Sequence, residues 1–409
     1  MMEGWSTDKF KNQIEYKSGY TWEKEQELKS QEPQSVRVLT VSNIQKDLDL
    51  SEELYLQGVS EKDKKEKAVS KDWCIAVSSN GNRKRIGNAV FIKNDTDYLF
   101  ASFLSAFKPK QNSDILPEFF FRWLSSHTIQ ERISSVSAGT TGLGNLDIRH
   151  LRNMDILFPQ KNVQTAIANI LTKVDETIES IKNSISTAKR LKKSFIQNLL
   201  TGKMKPDGTF RGKDDFFTDG KLGKIPKGWV VKKVKECFKF KNGKANTTVN
   251  LKDIPDEEYC IPVFGGNGIT GYYHSSLLEE PTIVVGRVGE YCGNVFKIPK
   301  KSWVTDNAML VSSVCMKEYD IDFFTLKLNS LNFKHYSDIT GQPKITQGSI
   351  GSVLLAYPVD VGEQKNIMSI INNVSNDIIQ KQQKINSLER LKKSLMQNLL
   401  TGKVRVKIS

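Results

Sequence analysis

The chain has 409 residues, which is enough for about two or three domains with cores of their own. Hydrophobic residues make up 38%, and no apolar run approaches the roughly 18 residues of a membrane helix, so the composition excludes a membrane-spanning protein. The net charge of +14 and the pI near 9.3 indicate an acidic partner, most simply nucleic acid, although a solvated lysine-rich surface would give the same sum.

The cysteines are five in number and lie far apart, at positions 74, 237, 260, 292 and 315. They form no CxxC pair, and neither they nor the four histidines have the spacing of a metal site. An odd and scattered set is typical of reduced thiols, and no charged and then apolar leader opens the sequence. We therefore expect a soluble, cytoplasmic protein that binds no metal.

The first block, residues 1–158, predicts a mixed α/β domain with a β-rich centre. Residues 74–77 are an apolar strand that runs into a glycine turn, and residues 118–124 have the spacing of a helix. A short apolar run at 154–157 precedes Pro159, and residues before proline favour extended backbone. We expect a last strand here, followed directly by a helix.

The segment 159–203 predicts one long helix. Apolar residues recur at steps of three and four from Val163 to Leu199, and the helix is expected to end at Thr201-Gly202, where glycine can take a left-handed cap. About 40 residues at ~1.5 Å each would give a helix of roughly 60 Å. Such a length favours a coiled coil with a partner helix over an ordinary globular core.

Residues 204–228 are predicted to link two domains, because glycine, proline and charged residues dominate there. The second block, 229–357, opens on Gly228-Trp229 and repeats the plan of the first. Residues 282–289 and 292–298 echo 74–81 and 86–92, and residues 322–328 echo 118–124. Glu3-Gly4-Trp5 is interpreted as a worn form of the same opening.

A second long helix is predicted at 358–409, and it reveals the repeat on which the molecule is built. Residues 190–203, RLKKSFIQNLLTGK, return as RLKKSLMQNLLTGK at 390–403, and only positions 195/395 and 196/396 differ. A repeat of that length fixes the architecture. We expect an α+β protein with a pseudo-two-fold repeat: two domains separated by two long helices in an antiparallel coiled coil. The alternative is two unconnected amphipathic helices, one on each domain.

The two variable blocks, the repeated helices and the IPKGW opening at 225–229 together resemble the specificity (S) subunit of type I restriction–modification systems, over essentially the whole chain. In that family each variable block is a target recognition domain, and the helices are a spacer that docks two methyltransferase (M) subunits. The resemblance implies recognition of a bipartite, asymmetric double-stranded DNA site. It also implies methyl transfer by M subunits with S-adenosylmethionine, and ATP- and Mg-dependent translocation and cleavage by two restriction (R) subunits, with no cofactor on this chain.

The candidate DNA-binding residues of the first domain lie in one turn. Arginine can bind guanine bidentately and asparagine can bind adenine in the same way, whereas the alternative is a solvated hairpin tip. The residues are Asn80, Asn82, Arg83, Lys84 and Arg85.

In the second domain the glycine-rich run 264–274 allows close approach to a ligand. Asn267 and Tyr272 are candidates from it, although tyrosines of a tight turn could equally be core residues. Arg287 is the cation of the aligned turn, and Lys344 and Gln347 belong to a glycine-containing loop, 341–347, that pairs with 139–145 in the first domain. In the resembled family the loop before the last strand often approaches DNA.

The candidate partner-binding residues come from the repeat, because identical residues on both helices suit one contact made twice. They are Arg190, Lys193, Leu199, Leu200, Arg390, Lys393, Leu399 and Leu400. A charged solvent face beside a leucine core is the alternative.

No motif for chemistry is found in the sequence. It has no Asn-Pro-Pro-Tyr-like motif of amino-methyltransferases, no Walker A loop and no convincing nuclease spacing. We therefore expect a non-catalytic chain. A self-contained enzyme is disfavoured by the same absence, and an adaptor that binds proteins alone would leave the two variable domains and the positive charge unexplained.

Overall fold

The structure, a computed structural model, describes residues 4–136, 144–245, 251–338 and 341–407. Its residues group into two compact units. The first unit consists of two segments, 1–183 and 382–409, and the second unit is the continuous segment 184–381. Each long helix therefore starts in one unit and ends in the other.

The elements before the first long helix are strands and short helices. The strands are β1 (Trp5–Lys9), β2 (Ile14–Ser18), β3 (Glu27–Leu28), β4 (Val36–Leu39), β5 (Tyr55–Leu56), β6 (Cys74–Val77), β7 (Ser79–Asn80), β8 (Ala89–Phe91), β9 (Leu99–Phe100), β10 (Leu104–Pro109), β11 (Gly144–Asn145) and β12 (Asp155–Pro159). The helices are α1 (Phe10–Gln13), α2 (Glu61–Lys67), α3 (Pro117–Leu124), α4 (His127–Val136) and α5 (Ile148–Asn153).

The first long helix is α6 (Lys161–Leu200) and the second is α10 (Val361–Leu399). The strands between them are β13 (Phe216–Asp219), β14 (Gly223–Pro226), β15 (Trp229–Lys233), β16 (Phe238–Asn242), β17 (Ile261–Gly265), β18 (Gly268–Tyr273), β19 (Thr282–Gly286), β20 (Val295–Ile298), β21 (Trp303–Val304), β22 (Ala308–Val314) and β23 (Leu354–Pro358). The helices between them are α7 (Val234–Cys237), α8 (Ile321–Ser330) and α9 (Gln347–Gly351).

The central sheets of the two domains have the same topology, and their second sheets share a three-strand part to which β3 is added in the first domain. The central sheets have the orders β2-β10-β6-β8 and β16-β22-β19-β20, all antiparallel. In both, a second sheet joins an antiparallel pair to a short parallel strand, β5-β4-β9 and β18-β17-β21. The opening strands also agree, because Trp5 pairs with Pro159 and Trp229 pairs with Pro358. The predicted duplication with a β-rich centre is confirmed, including the worn opening at Trp5.

The segment predicted as a linker has structure of its own. Strands β13 and β14 form an antiparallel hairpin, and Ile225 is buried beside Trp229. Composition indicated an exposed connector because charged residues and glycines lie on the outer side of this hairpin.

Each long helix has a buried glutamine in its first turn, which the sequence did not predict. Gln164 donates to the carbonyl of Pro159 at 2.8 Å and accepts from the N–H of Leu116. Gln364 donates to the carbonyl of Pro358 at 2.9 Å and accepts from the N–H of Asp320. Both side chains are fully buried. The amide therefore fixes the angle between the last strand, the helix start and α3 or α8, since an unpaired amide in this position would be costly.

Each helix end packs into the core of the unit that it reaches. Leu199 and Leu200 lie in the core of the second unit with Phe323 and Ile367. Leu399 and Leu400 lie in the core of the first unit with Phe10, Phe120 and Leu171. Gly202 and Gly402 follow at φ of +69° and +72°, which confirms the predicted left-handed glycine caps.

Within the first unit the two helix segments run in opposite directions. Lys392 of α10 contacts Asp175 of α6 at 2.5 Å. Glu389 lies one turn earlier on α10, and the charge of Lys182, which is further along α6, helps to lower its pKa. Arg122 of α3 also contacts Asp175. Burial raises the pKa of the Asp175 carboxyl, but the hydrogen bonds and charges of Lys392 and Arg122 outweigh that effect and keep the pKa below its usual value.

In the second unit the end of α6 is capped by a buried amine. Lys327 donates to the carbonyl of Leu200 at 2.5 Å and lies over the ring of Trp229. The indole of Trp229 donates to Glu363, which also pairs with Arg211 at 2.7 Å. A cation at a helix C-terminus is favourable, but taking it out of water is costly.

The buried amine gives a pH prediction. Burial lowers the pKa of Lys327 from 10.5 to about 8, so between these values the unfolded chain binds more protons than the folded one. Stability of the natural protein relative to Lys327→Met should therefore rise with pH across this window, by at most about 1.4 kcal/mol per pH unit, and stay level below it. Urea unfolding of both proteins across this range measures it, and a difference independent of pH would contradict it.

Candidate nucleic-acid interface

In each central sheet the loops of interest lie at one end of the strands. In the second unit Gly286 at the end of β19 pairs with Ala308 at the start of β22. In the first unit Val77 at the end of β6 pairs with Leu104 at the start of β10. We call this side the loop edge of each domain. It comprises residues 78–80, 101–103 and 144–145 in the first unit, and residues 287–289, 305–307 and 343–344 in the second.

The turn that enters β10 or β22 has the same hydrogen bonds in both domains. The N–H of Ser78 donates to the carbonyl of Phe103 at 2.8 Å, and the N–H of Arg287 donates to the carbonyl of Asn307 at 2.9 Å. The turn is closed by Leu104 N–H to Ala101 O at 2.8 Å, and by Ala308 N–H to Thr305 O at 3.1 Å. Phe103 and Asn307 are thus equivalent positions on one backbone frame.

A glycine from the neighbouring strand presses on the same turn. A Cβ added to Gly19 would lie 2.0 Å from the carbonyl oxygen of Ala101, and one added to Gly243 would lie 2.2 Å from that of Thr305. Only glycine leaves room for this backbone contact. The turn is therefore held on both sides, by hydrogen bonds on one and by close packing on the other.

Gly243→Ala is expected to displace the turn of the second domain and to lower stability by about 1 to 3 kcal/mol, the usual cost of overpacking. Loss of recognition by that domain should accompany it. Gly81→Ala is the matched control, since its added methyl would meet nothing within 4 Å. Thermal unfolding of the three proteins compares them; an unchanged midpoint for Gly243→Ala would contradict the packing argument.

The loop edge brings together two candidate segments that are distant in sequence. Strand β11 pairs with β7, so Gly144 faces Asn80 and Asn145 faces Ser79. In the second unit Lys344 forms the equivalent bridge with Val288. The rest of the predicted loop, residues 139–143 and Thr340, lies outside the described residues.

The predicted cationic turn of the first domain is a short 3-10 helix, Arg83–Arg85, after β7. Asn80 and Asn82 use their side-chain oxygens to accept from the N–H groups of Asn82 and Lys84, at 2.8 and 3.1 Å. Their amide nitrogens remain directed away from these bonds. Arg83 and Lys84 are exposed, so this loop presents positive charge beside Asn80.

Arg85 has to be removed from the candidates that read DNA. Its guanidinium donates to the carbonyls of Val41 and Ile44 at 3.0 and 2.7 Å, and the side chain is half-buried. Breaking these two bonds would leave carbonyl groups unsatisfied. A cation in a basic run looks available from sequence, but here the fold uses it to hold the 41–44 turn.

The candidates of the second domain separate in the same way. Asn267 is exposed at the β17–β18 turn, whose Gly266 lies against Gly286, so this turn reaches the loop edge. Tyr272 pairs with Pro262, away from that turn, and its backbone bonds Lys252. The hairpin therefore separates Tyr272 from Asn267 along the strand, and a role of Tyr272 in DNA binding stays a prediction.

Arg287 and Lys344 lie together on the loop edge, whereas Gln347 lies at the end of β16. The N–H of Ile345 donates to the carbonyl of Arg287 at 2.9 Å, which places Lys344 beside that turn. The guanidinium of Arg287 is held by the carbonyl of Asp306 at 3.2 Å. Gln347 is exposed and its amide lies 3.5 Å from the Asn242 side chain at the end of β16. Lys239 and Lys241 lie on the exposed side of the same strand. Lysines so placed suit DNA phosphates.

The repeated helix ends have identical exposure, residue by residue, at 191–200 and 391–400. Arg190, Lys193, Arg390 and Lys393 are exposed, as predicted for a partner surface. Leu199, Leu200, Leu399 and Leu400 are at most 4% exposed, so they must be withdrawn from that surface. They belong to the cores described above, whereas Leu191 and Leu391 are nearly half exposed.

Sequence reasoning missed Phe103 and Asn307. They have no motif around them, and only the matched hydrogen bonds place them at equivalent points. Among the described residues no three histidine, cysteine or carboxylate side chains are grouped to hold a metal ion. Within the same ranges, no helix has the length and apolarity needed to span a membrane.

These features define a nucleic-acid-binding protein with two recognition domains of one topology. A family model described as the type I restriction modification DNA specificity domain matches residues 2–190 and again residues 226–390. The chain therefore belongs to the specificity subunits of type I restriction–modification systems.

Individual relatives agree with this assignment. The MjaVIII specificity subunit of Methanocaldococcus jannaschii is 25% identical over 340 residues, 73% of each chain. The EcoprrI specificity subunit of Escherichia coli is 30% identical over 123 residues, and this match spans only 30% of that subunit's length and of this chain.

Solved structures share the fold. The S subunit of M. genitalium superposes with a TM-score of 0.56 at 18% identity, covering 99% of this chain and 97% of that one. A chain from a structure concerning complex assembly and conformational transition of the type I R-M system gives a TM-score of 0.57 at 13% identity, covering 97% and 98%.

Proposed function

We propose that this specificity subunit reads a bipartite, asymmetric double-stranded DNA site, one half with each domain. The observation that carries the proposal is the loop edge: one backbone frame, repeated, with different side chains at equivalent positions. Phe103 of the first domain is equivalent to Asn307 of the second, and Asn145 is equivalent to Lys344. A shared frame with unlike reading residues suits two unlike half-sites. Positive charge around both edges suits the sequence-independent attraction of phosphates.

We further propose two M subunits as partners, one for each helix end. Identical exposed residues at 190, 191, 193 and 194, and at 390, 391, 393 and 394, support a contact made twice. The positions at which the two copies differ, 195/395 and 196/396, are half-buried against two different cores. Ordinarily exposed residues vary more freely than buried ones, so an outer face that is identical while two half-buried positions behind it differ favours an external partner.

In this proposal the chain carries no catalytic activity. Methyl transfer belongs to the M subunits with S-adenosylmethionine, and ATP- and Mg-dependent restriction belongs to two R subunits. The domain division follows the same idea: target recognition domains at 1–158 and 229–357, spacer helices at 159–203 and 358–409, and a linker at 204–228. We place the complex in the cytoplasm. A DNA-binding or coiled-coil adaptor without a restriction role is the alternative.

The test is adenine methylation across a plasmid library of random sequence, in cells that express this chain with its M subunit. We expect one bipartite, asymmetric motif with a fixed gap. Charge reversal at Arg83 and Lys84 should weaken modification, whereas an adaptor would lose nothing. A continuous or palindromic motif would contradict two half-site readers, as would absence of methylation when both proteins are present.

A further inference from the structure

We propose that Phe103 and Asn307 are specificity-determining positions of the two domains, Phe103 contacting a thymine methyl group and Asn307 hydrogen-bonding an adenine edge. The inference rests on the proposed function, since it names the base-contacting chemistry of the same loop edge.

The backbone holds Phe103 in a fixed position. The carbonyl of Phe103 accepts from two successive N–H groups, those of Ser78 and Ser79, at 2.8 and 3.1 Å. Leu104 directly after it is fully buried, and Gly19 packs against Ala101 two residues before it. A side chain that reads a base has to be held in place by rigid neighbours. The turn supplies such support without using the Phe103 ring.

The Phe103 ring is largely open to solvent. It is 52% exposed, and within the described part of the first unit it is absent from the hydrophobic clusters. One exposed apolar side chain is ordinary by itself. Here, however, it stands on the same edge as Asn80 and beside the loop that carries Arg83 and Lys84. Those residues attract a polyanion, so the ring lies where a base edge would arrive.

The two domains carry different side chains at this equivalent position. Asn307 occupies the same point of the frame and is exposed as well. The two side chains have opposite chemistry: a ring without hydrogen-bonding groups and an amide with both a donor and an acceptor. In the major groove, thymine offers a methyl group to apolar side chains, and adenine offers an adjacent acceptor and donor that match an amide.

The neighbouring side chains reinforce that division. Asp306 precedes Asn307 and its carbonyl holds the guanidinium of Arg287 at 3.2 Å, so the amide has a cation next to it. Lys344 lies against the same turn through its bridge with Val288. Around Phe103 the residues of the same turn are Ser78, Ser79 and Ser102, whose side chains are much smaller than the phenyl ring.

The experiment compares methylation motifs in cells that contain the M subunit and one of four versions of this chain: natural, Phe103→Ala, Asn307→Ala and Phe103→Asn. Phe103→Ala should make one thymine position of one half-site degenerate and slow methylation of the original site by about ten-fold. Asn307→Ala should relax an adenine position of the other half only. Phe103→Asn should introduce a preference for adenine in place of thymine.

Phe210→Ala is the control, because Phe210 is an exposed phenylalanine, at 64%, away from the loop edge. Its motif and rate should equal those of the natural chain. Unfolding midpoints of purified complexes show whether each variant is folded. Unchanged motifs in folded Phe103 and Asn307 variants overturn this inference and leave the proposed function intact. A natural chain without a bipartite motif overturns the proposed function and this inference together.

Discussion

Replacing Leu399 and Leu400 by alanine is expected to destabilise the N-terminal recognition domain, although the substituted residues are nearly 400 positions from the first strand of that domain in the sequence. Both side chains are buried in the core of the first unit, beside residues of α1, α3 and the start of α6. Removing a buried leucine usually costs about 2 to 5 kcal/mol, and neighbours on this helix cannot fill the space. Hydrogen exchange measured by mass spectrometry should show faster exchange in β2, β6 and β10, with β16, β19 and β22 unchanged.

Leu391→Ala is the control on the same helix. That side chain is 48% exposed, so its loss should change stability by no more than about 0.5 kcal/mol. The mirror variant, Leu199→Ala with Leu200→Ala, should act on β16, β19 and β22 instead, since these two leucines belong to the core of the second unit. Faster exchange confined to the helix end itself would show that the leucines do not support the domain.

The architecture could be predicted because the repeat made it visible. Residues 190–203 and 390–403 match so closely that duplication is certain, and the proline before each helix marked where it begins. Apolar periodicity then gave the long helices, and Gly202 and Gly402 gave their ends. These signals are local, and local signals survive in a single sequence. The worn opening at Trp5 became clear only from the strand register that it shares with Trp229.

Long-range features were beyond sequence reasoning for physical reasons. Gln164 and Gln364 have the same role, yet the first lies five residues after its proline and the second six, so the match is hidden. Leucines of the repeat could have been core or partner surface, because periodicity shows that a helix has an apolar face and not what covers it. The boundary between the two units falls inside both long helices, and no change in composition marks it in the sequence.

The candidate site was predicted in part for the same reason. Glycine turns and basic runs pointed to Asn80 and Arg287 on the loop edge and to Arg83 and Lys84 in the adjoining loop, since such residues favour turns; their contact with DNA stays a prediction. Whether a cation in a turn is available depends on distant carbonyls, and Arg85 bonds two of them. Phe103 had no signal at all: an isolated phenylalanine before an apolar strand is typical of a core, and only the structure shows a fixed turn whose phenylalanine is 52% exposed.

Arg190→Glu combined with Lys193→Glu is expected to remove one of two M subunits from the complex. The two residues lie one turn apart on the exposed side of α6, next to the exposed Leu191. A basic patch of this kind favours an acidic partner surface, and reversing two charges there should weaken that contact by about 100-fold or more. Mass photometry of this chain mixed with M subunit should then report a single M subunit bound, and methylation should fall.

The repeat supplies the matched control. Position 189 is lysine and its counterpart, position 389, is glutamate, so the copies carry opposite charges directly beside the shared face. Lys189→Glu makes the first copy resemble the second there, and it should leave both M subunits bound if the shared residues form the contact. The double change at Arg390 and Lys393 should in turn remove the other M subunit. If two M subunits remain bound to either double variant, the identical face serves something other than M binding, because reversing two charges at a true contact should weaken it.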